Sequence, residues 1–356
     1  MNKINIVIID RSKFFRQQLK NILTKTSYIN VIATTDCIHT GINTLLTKSP
    51  DVILLDTGIP HQEEESSLEL LLKTKSVPII MIADGSIDQT TKTVQAITNG
   101  AVDFVNVKDK KNKANIVERE NELIKKITFA SKNENVKFIK KENPTSFVVK
   151  KQKNRRNLSS LSNSIVVIGT STGGPRALQE ILQNIPKAFP APILIVQHMP
   201  KGFTKSLAKR LNDVGNIRVK EAKHEDIIEK GTAYLAPGDY HMRIKKQRNT
   251  LQIDIKQDEA RLDYRPSINL LFKSAAQIKD IHKIAVVLTG MGKDGAEGVQ
   301  AIKSAEREAV VLVESKETAV IHGMPSAVIQ TNEVTEVLRL EDMADAIIDY
   351  VMNRRK

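Results

Sequence analysis

Two hydrophobic patterns alternate along the first 131 residues of the chain. Short runs rich in β-branched residues predict strands, and the segments between them carry apolar residues at the spacing of amphipathic helices. The predicted strands are Ile4–Ile9, Val31–Ile32, Val52–Leu55, Ile79–Ile82 and Val102–Val105, and the predicted helices cover about 13–25, 38–48, 66–75, 88–98 and 112–130. Five strand–helix units favour an α/β domain over 1–131, with an open parallel sheet covered on both faces.

A second α/β pattern begins at Ser164 and predicts another doubly wound, mostly parallel domain over 164–356. Its clearest strand-like runs are Ile165–Ile168, Pro192–Val196, Ile284–Leu288 and Ala309–Val313, whereas the stretch 214–261 is more irregular. Between the two domains, residues 132–163 lose all periodicity and are rich in Lys, Asn, Ser and Arg. This composition predicts a flexible linker.

The excess positive charge of the chain is concentrated in this linker. The 356 residues include 54 Lys and Arg against 41 Asp and Glu, a formal net charge of +13. Residues 132–156 alone hold nine basic and two acidic residues. Aromatic residues make up 4% of the chain and tryptophan is absent, so side chains on which bases could stack are scarce. We therefore expect a solvated basic tether and no nucleic-acid partner.

Composition also limits the cellular setting of the protein. No apolar run approaches the ~20 residues that a membrane-spanning helix needs. The N-terminal apolar stretch ends at Asp10, which is too short for a signal-peptide core. The single cysteine, Cys37, excludes an internal disulfide framework and a Cys-cluster zinc site. We expect a cytoplasmic protein without membrane insertion.

A glycine-rich loop after the first strand of the second domain carries a candidate nucleophile. Gly169–Gly173 reads G-x-S-x-G between a predicted strand and a predicted helix, which is the setting of a nucleophile elbow presenting Ser171. A tight structural turn and a phosphate-binding loop are the alternative interpretations. Neither G-x-G-x-x-G nor the P-loop pattern is present, however.

Two further loops supply a candidate base and a candidate carboxylate. His198 follows the next predicted strand, and because neighbouring parallel strands lie only ~4.8 Å apart, a hydrogen bond with Ser171 is within reach. His241 and His322 are further candidates for the base. Asp294 is interpreted either as a helix N-cap or as the group that orients the imidazole. The order Ser–His–Asp differs from that of α/β-hydrolases and favours a triad on another framework.

Six collinear motifs give the chain its resemblance to a known family. They are IGTSTGGPRAL (168–178), VQHMP (196–200), LAPGDYHM (235–242), RPSINLLFKSAA (265–276), LTGMGKDGAEG (288–298) and HGMPSAV (322–328). With them the chain resembles CheB-type chemotaxis response regulators, which join a receiver domain to a protein-glutamate methylesterase domain.

The resemblance implies that Ser171 is the nucleophile, His198 the base and Asp294 its orienting partner. It also implies that Thr172 positions the base and that a backbone N–H near Met291 helps to hold the oxyanion. The implied reaction is a cofactor-free hydrolysis of glutamate γ-methyl esters on methyl-accepting chemotaxis receptors, with deamidation of glutamines in many members. In this family the receiver covers the active-site entrance, and phosphorylation relieves the inhibition.

The first domain is similar to a flavodoxin-like response-regulator receiver, which implies that Asp56 accepts a phosphoryl group from a chemotaxis histidine kinase. Such a site holds Mg²⁺ between acidic residues, but here Arg11 follows Asp10 where the family has a second acid. Ala83 stands at the hydroxyl position, and Lys108 reaches the lysine position only with a one-residue shift. Because Mg²⁺ needs hard oxygen ligands, we expect poor metal binding. Our hypothesis is that Arg11 pairs with Asp56 and takes the electrostatic place of the ion.

Three other functions compete with the methylesterase interpretation. A non-catalytic signalling adaptor is the main alternative, and an intact set of Ser171, His198 and Asp294 argues against it. A DNA-binding response regulator would carry a helical output domain in place of the second α/β domain. A hydrolase for small esters rests on the elbow alone, whereas the glycine-rich loops favour a protein substrate.

Overall fold

The computed structural model describes residues 3–59, 66–84, 86–106, 116–132, 163–248, 250–257 and 264–352. Its contacts divide the chain into two compact units, Met1–Ile139 and Lys140–Lys356. Apart from its two end positions, the predicted linker 132–163 lies outside the described residues, so its boundaries stay a prediction.

The first unit follows the strand–helix order that its sequence predicts. Its strands are β1 (Ile4–Ile9), β2 (Ile29–Thr35), β3 (Val52–Asp56), β4 (Ile79–Ile82) and β5 (Asp103–Val105). Its helices are α1 (Lys13–Thr24), α2 (Ile38–Lys48), α3 (Ser67–Thr74), α4 (Ile87–Thr98) and α5 (Ile116–Lys132). Within the described part of this unit, the strands form one parallel sheet in the flavodoxin-like order β2-β1-β3-β4-β5.

Local sequence signals account for these elements. The Ser12 and Ser66 hydroxyls accept hydrogen bonds from backbone N–H groups in the first turns of α1 and α3. Every residue of β3 and β4 is buried, which the continuous apolar runs of a two-sided parallel sheet predict. Because β1 pairs with β3, Asp10 and Asp56 lie at the carboxyl ends of neighbouring strands.

The second unit is a larger parallel α/β domain. Its strands are β6 (Ser164–Thr170), β7 (Ile193–Gln197), β8 (Arg218–Glu221), β9 (Thr232–Leu235), β10 (His241–Gln247), β11 (Thr250–Lys256), β12 (His282–Val287), β13 (Val310–Glu314) and β14 (Glu336–Leu338). Its helices are α6 (Gly174–Asn184), α7 (Phe203–Val214), α8 (Ile268–Ala276), α9 (Ala296–Ala305), α10 (Gly323–Ile329) and α11 (Leu340–Val351). Among these residues a seven-stranded parallel sheet runs in the order β14-β13-β12-β6-β7-β9-β8.

The described part of the stretch 214–261, which ends at residue 257, is more regular than its sequence predicts. β8 and β9 complete one edge of the parallel sheet, and β10 and β11 form a separate antiparallel hairpin. The expectation of an irregular stretch is therefore wrong. β8, β10 and β11 carry charged residues at alternating positions, such as Arg243 and Lys245 in β10, and so lack the apolar runs that mark the central strands.

The centre of the larger sheet carries the candidate site. All seven residues of β6 are buried, and β7 and β12 flank it on either side. The loops after these three strands contain the serine, histidine and aspartate that the sequence analysis selects. No helix within the described ranges is long and apolar enough to cross a membrane.

Candidate active site

Ser171 and His198 follow two paired strands. In the register of β6 and β7, Thr170 lies beside Gln197, and the His198 N–H donates to the Thr170 carbonyl at 3.0 Å. Each predicted residue is therefore the first after its strand, at the same edge of the sheet. The predicted adjacency of the two strands is confirmed, but among the described residues His198 forms no side-chain hydrogen bond with Ser171.

The turn that carries Ser171 is held from both sides. The Ser171 N–H donates to the Thr289 carbonyl at 3.0 Å, and the Gln197 side-chain amide donates to the Ser171 carbonyl at 2.8 Å. Gly173 has a left-handed φ of 82°, which allows the sharp entry into α6. A Cβ atom at Gly174 would collide with the Gln197 side chain. Close packing therefore requires the glycines after the serine.

His198 is hydrogen-bonded to Asp294 through Nε2. The Nε2–Oδ2 distance is 2.9 Å, and the two side chains are only 8% and 6% exposed. The Ile268 and Asn269 N–H groups also donate to this carboxylate, at 2.8 and 2.9 Å. Burial raises the pKa of Asp294, but the hydrogen bonds from His198 and the backbone outweigh it and bring the pKa below its usual value. An ionised Asp294 only accepts hydrogen bonds, so Nε2 carries the proton.

Asp294 and Asn269 link the starts of two helices. Asp294 precedes α9 but accepts from the first N–H groups of α8, and from the Ser267 hydroxyl at 3.3 Å. In return, the Asn269 side chain in α8 accepts from Gly295 and Gly298 N–H groups at the start of α9, at 2.9 and 2.8 Å. Asp294 is thus the partner of the imidazole and an acceptor for the start of α8, whereas its predicted N-cap role in the helix that follows it is wrong, because the N-cap of α9 is Gly295. Ser267 and Asn269 lie in the motif RPSIN, but neither is among the site residues that the sequence predicts.

The other nitrogen of His198, Nδ1, is buried and has no hydrogen-bond partner among the described residues. It is therefore the nitrogen that can accept a proton. The ring of Tyr264 stacks on the imidazole, with centroids 4.3 Å apart and 5° between the planes. Tyr264 is 36% exposed, so it lies at the solvent side of the site. No sequence motif singles it out.

Thr289 joins the Ser171 turn to a neighbouring strand. Its carbonyl accepts from the Ser171 N–H and from the Thr170 hydroxyl, and its own hydroxyl donates to the Thr172 carbonyl at 2.9 Å. Its N–H donates at 2.8 Å to the side chain of Glu314, the fully buried last residue of β13. Burial raises the pKa of Glu314 to about 7. Sequence reasoning missed this glutamate because a charged residue at a strand end is usually exposed.

The predicted positioning and oxyanion residues lie close to the serine. Thr172 is buried directly after Ser171. Met291 lies in the loop after β12, next to Gly290, where a Cβ atom would lie 2.8 Å from the Ser171 Cβ. The structure therefore brings the Met291 loop against Ser171, and the oxyanion role that the resemblance implies for this loop stays a prediction.

The two other histidine candidates have different surroundings. His241 is the fully buried first residue of β10. His322 precedes α10 and forms a bridge with Gly290, and burial together with the charge of Lys316 lowers its pKa. Of the three candidates, His198 is the one that the structure joins to the Asp294 carboxylate.

In the first unit, Arg11 lies against Asp56. Its Nε is 3.5 Å from the Asp56 Oδ2, and Asp56 is almost fully buried. The guanidinium also covers Gly58, where a Cβ atom would collide with it. Asp10 is fully buried and accepts the Ser12 N–H at 2.8 Å. The hypothesised ion pair between Arg11 and Asp56 is therefore present.

These residues do not fit a resident Mg²⁺ ion. Mg²⁺ needs oxygen ligands such as carboxylates. Here the Arg11 guanidinium lies against the Asp56 carboxylate, and its positive charge would repel the ion. The part of the chain that the structure describes contains no group of three or more His, Cys, Asp or Glu residues able to hold a metal. Ala83 is buried after β4 and supplies no hydroxyl. Lys108 lies outside the described residues.

The second unit has the parts of a site for nucleophilic acyl transfer by serine. The serine sits on a turn at the start of a helix, whose N-terminal dipole favours negative charge nearby. The neighbouring histidine has a buried nitrogen able to accept a proton, and its other nitrogen donates to an ionised aspartate. Fold and site together have the features expected of a serine hydrolase on a parallel α/β sheet, joined to a receiver-like unit.

Comparison with known proteins identifies the family. Residues 166–347 match the CheB methylesterase family, and residues 6–119 match the response regulator receiver domain. A protein-glutamate methylesterase/protein-glutamine glutaminase of Oceanobacillus iheyensis is 38% identical, covering 98% of this chain and 99% of its own. A protein of the same name from Halalkalibacterium halodurans is 36% identical, covering 98% of both chains.

A solved structure agrees with this result. The crystal structure of the Thermotoga maritima CheB methylesterase catalytic domain is 43% identical to this chain, with a TM-score of 0.51. The match covers 52% of this chain and 98% of that domain. The chain belongs to the CheB methylesterase family.

Proposed function

We propose that this protein hydrolyses the γ-methyl esters of glutamate residues on methyl-accepting chemotaxis receptors. The observation that carries the proposal is the arrangement of Ser171, His198 and Asp294 in a chain of the CheB methylesterase family. Relatives named protein-glutamate methylesterase/protein-glutamine glutaminase match nearly its whole length. Deamidation of glutamine, the second activity in that name, uses the same acyl chemistry and is part of the proposal.

Ser171 acts as the nucleophile and His198 as the base. Nδ1 accepts the hydroxyl proton as Oγ attacks the ester carbonyl, and Asp294 on Nε2 stabilises the imidazolium that forms. Backbone N–H groups near Met291 hold the oxyanion, and Thr172 positions the base. The imidazolium then protonates the departing methoxide, and methanol leaves. Water activated by the same histidine hydrolyses the acyl-enzyme, so the steps need neither a metal nor an organic cofactor.

A non-catalytic adaptor is the alternative function, and the site argues against it. A buried carboxylate that is ionised costs desolvation energy, which hydrogen bonds must offset. Here His198 and two backbone N–H groups donate hydrogen bonds to the ionised Asp294. The other nitrogen of His198 has no hydrogen-bond partner among the described residues. A scaffold has no chemical use for this arrangement, whereas a hydrolase requires it.

Methanol release from methylated receptor tests the proposed activity. We expect Ser171→Ala to fold normally by circular dichroism and to release methanol only at the background rate. Ser304→Ala is the matched control, because Ser304 is exposed in α9 and should leave the rate unchanged. Full activity in Ser171→Ala would overturn the assignment of the nucleophile.

We also propose that the receiver is poorly phosphorylated, by a chemotaxis histidine kinase or by a small phosphodonor. The supporting observation is the Arg11–Asp56 ion pair where the family has a metal-binding acid. We expect a small phosphodonor with Mg²⁺ to leave little acyl phosphate on Asp56, and Arg11→Asp to increase it. Lys20→Asp, at an exposed position in α1, makes the same charge change and should not. Stoichiometric phosphorylation of the unchanged protein would refute the proposal.

We infer that the protein acts in the cytoplasm, because the receptor helices that carry the methyl esters lie there. Its proposed partners are these receptors and, where phosphorylation occurs, the chemotaxis histidine kinase. Neither nucleic-acid binding nor membrane insertion is part of the proposal.

A further inference from the structure

We propose that Tyr264 is a positioning residue that fixes the plane of the His198 imidazole and stabilises its protonated form. The inference rests on the proposed function, since it concerns the base of the same reaction. Its basis is a parallel stack of the two rings, with centroids 4.3 Å apart and 5° between the planes.

One hydrogen bond does not fix the plane of an imidazole. Asp294 holds His198 at Nε2, but the ring can still tilt about the line of that bond, because the second side-chain torsion of histidine is broad. Tyr264 covers one face of the ring with a rigid, flat surface. Contact across this face opposes the tilt, so Nδ1 keeps its orientation.

Tyr264 also contacts the loop that carries Asp294. A Cβ atom on Gly292, which has a left-handed φ of 92°, would lie 3.0 Å from the Tyr264 hydroxyl oxygen. Tyr264 stands three residues before Ser267, the N-cap of α8, and the first N–H groups of that helix hold Asp294. One short segment therefore supplies both the ring on His198 and the donors to its carboxylate partner.

The stack contributes most when His198 is protonated. Transfer of the Ser171 proton creates an imidazolium, and the face of an aromatic ring attracts a cation. Tyr264 is 36% exposed whereas the His198 side chain is 8% exposed, so solvent reaches the tyrosine more than the base. An interaction that strengthens as the proton moves lowers the barrier to reaction and leaves substrate binding unchanged.

Labelling of Ser171 by a fluorophosphonate probe tests this role without receptor substrate. The serine oxygen attacks phosphorus, the P–F bond breaks, fluoride leaves, and the hydroxyl proton passes to His198. The labelling rate therefore reports how well the base activates the serine. We expect Tyr264→Leu and Tyr264→Met, which lack a ring, to slow labelling about tenfold. Tyr264→Phe retains the ring and should label at nearly the normal rate.

Tyr28→Leu is the matched control, because Tyr28 is 40% exposed and lies in the first unit, and its labelling rate should not change. In the methanol assay, the ringless variants should lose kcat about tenfold while KM stays within about twofold. Should Tyr264→Leu fail to fold, Tyr264→Met provides the same comparison.

Two results would overturn the inference. A raised KM with unchanged kcat in the ringless variants would make Tyr264 a substrate contact. Slow labelling of Tyr264→Phe would assign the effect to the hydroxyl group and not to the ring. The two assays also distinguish failure of this inference from failure of the proposed function. If the proposed function is wrong, the unchanged protein will react with the probe at its normal rate but release no methanol from methylated receptor.

Discussion

Replacing Glu314 by glutamine removes a buried carboxyl group whose ionisation opposes folding. Burial raises the pKa of Glu314 from 4.5 to about 7, although hydrogen bonds from the Thr289 N–H and the Thr318 hydroxyl lower it. The charge of Glu341 raises this pKa further, and that of Arg176 lowers it. The folded protein therefore retains this proton up to neutral pH, whereas the unfolded chain releases it near pH 4.5.

The difference in proton binding sets the sign and size of the effect. Between pH 4.5 and about 7 the folded state binds more protons, so stability falls as the pH rises. A shift of about 2.5 units corresponds to about 3 kcal/mol. Glutamine cannot ionise, but its amide oxygen can still accept the Thr289 N–H. The quantity to follow is the free energy of unfolding of Glu314→Gln minus that of the unchanged protein. We expect this difference to rise by about 3 kcal/mol as the pH rises from about 4.5 to about 8.

Urea unfolding of the full chain, followed by far-UV circular dichroism, measures this difference at each pH. Taking the variant minus the unchanged protein cancels the contribution of the first unit. Glu308→Gln serves as the control, because it removes a carboxyl group at an exposed position of the same unit. If the difference for Glu314→Gln did not depend on pH, Glu314 would ionise in the folded protein as it does in the unfolded chain, which would contradict the raised pKa.

Three further predictions concern the candidate site. Asn269→Leu should lower the free energy of unfolding by about 1 kcal/mol in urea, because the first N–H groups of α9 lose their acceptor. Asn269→Asp keeps an acceptor oxygen and should retain this stability. Equal losses in both variants would contradict the capping role. Gly290→Ala should lower both kcat and Tm, since its Cβ would lie 2.8 Å from the Ser171 Cβ, and a fully active variant would show that the turn can move aside. Nitrogen-15 NMR of the neutral imidazole should find the His198 proton on Nε2 and none on Nδ1, because ionised Asp294 accepts from Nε2; the reverse tautomer would contradict the assignment.

Much of the fold and the triad could be predicted because both depend on short-range patterns. Apolar runs such as Ile79–Ile82 fill buried strands, and this run has the length of the observed strand, whereas the predicted run Val31–Ile32 covers only part of β2. Ser171 and His198 could be placed near one another because each follows an apolar run directly, and consecutive strand–helix units often pair. In the same way, the substitution of Arg11 for an acid predicted an ion pair that the structure contains.

The remaining features depend on tertiary contacts that leave little local signal. Residues such as Arg243 interrupt the apolar pattern of β10, so the hairpin resembles a surface loop in sequence. Glu314 is buried because β13 lies inside the sheet and packs against α10 and α11, and these contacts come from residues distant in sequence. Tyr264 and His198 stack although 65 positions separate them in sequence, and no spacing rule connects such distant residues.

Because Thr170 pairs with Gln197, the relative position of Ser171 and His198 does not depend on the loops that would contact a substrate. Ser171 and His198, the proposed nucleophile and base, each follow one residue of this pair, so the strand spacing of ~4.8 Å determines the separation of their backbones, and loop length does not. Insertions in the surrounding loops can reshape the surface that meets a receptor while this separation stays constant. One extra residue within β6 or β7 would instead shift Ser171 relative to His198 and turn a catalytic side chain to the opposite face of the sheet.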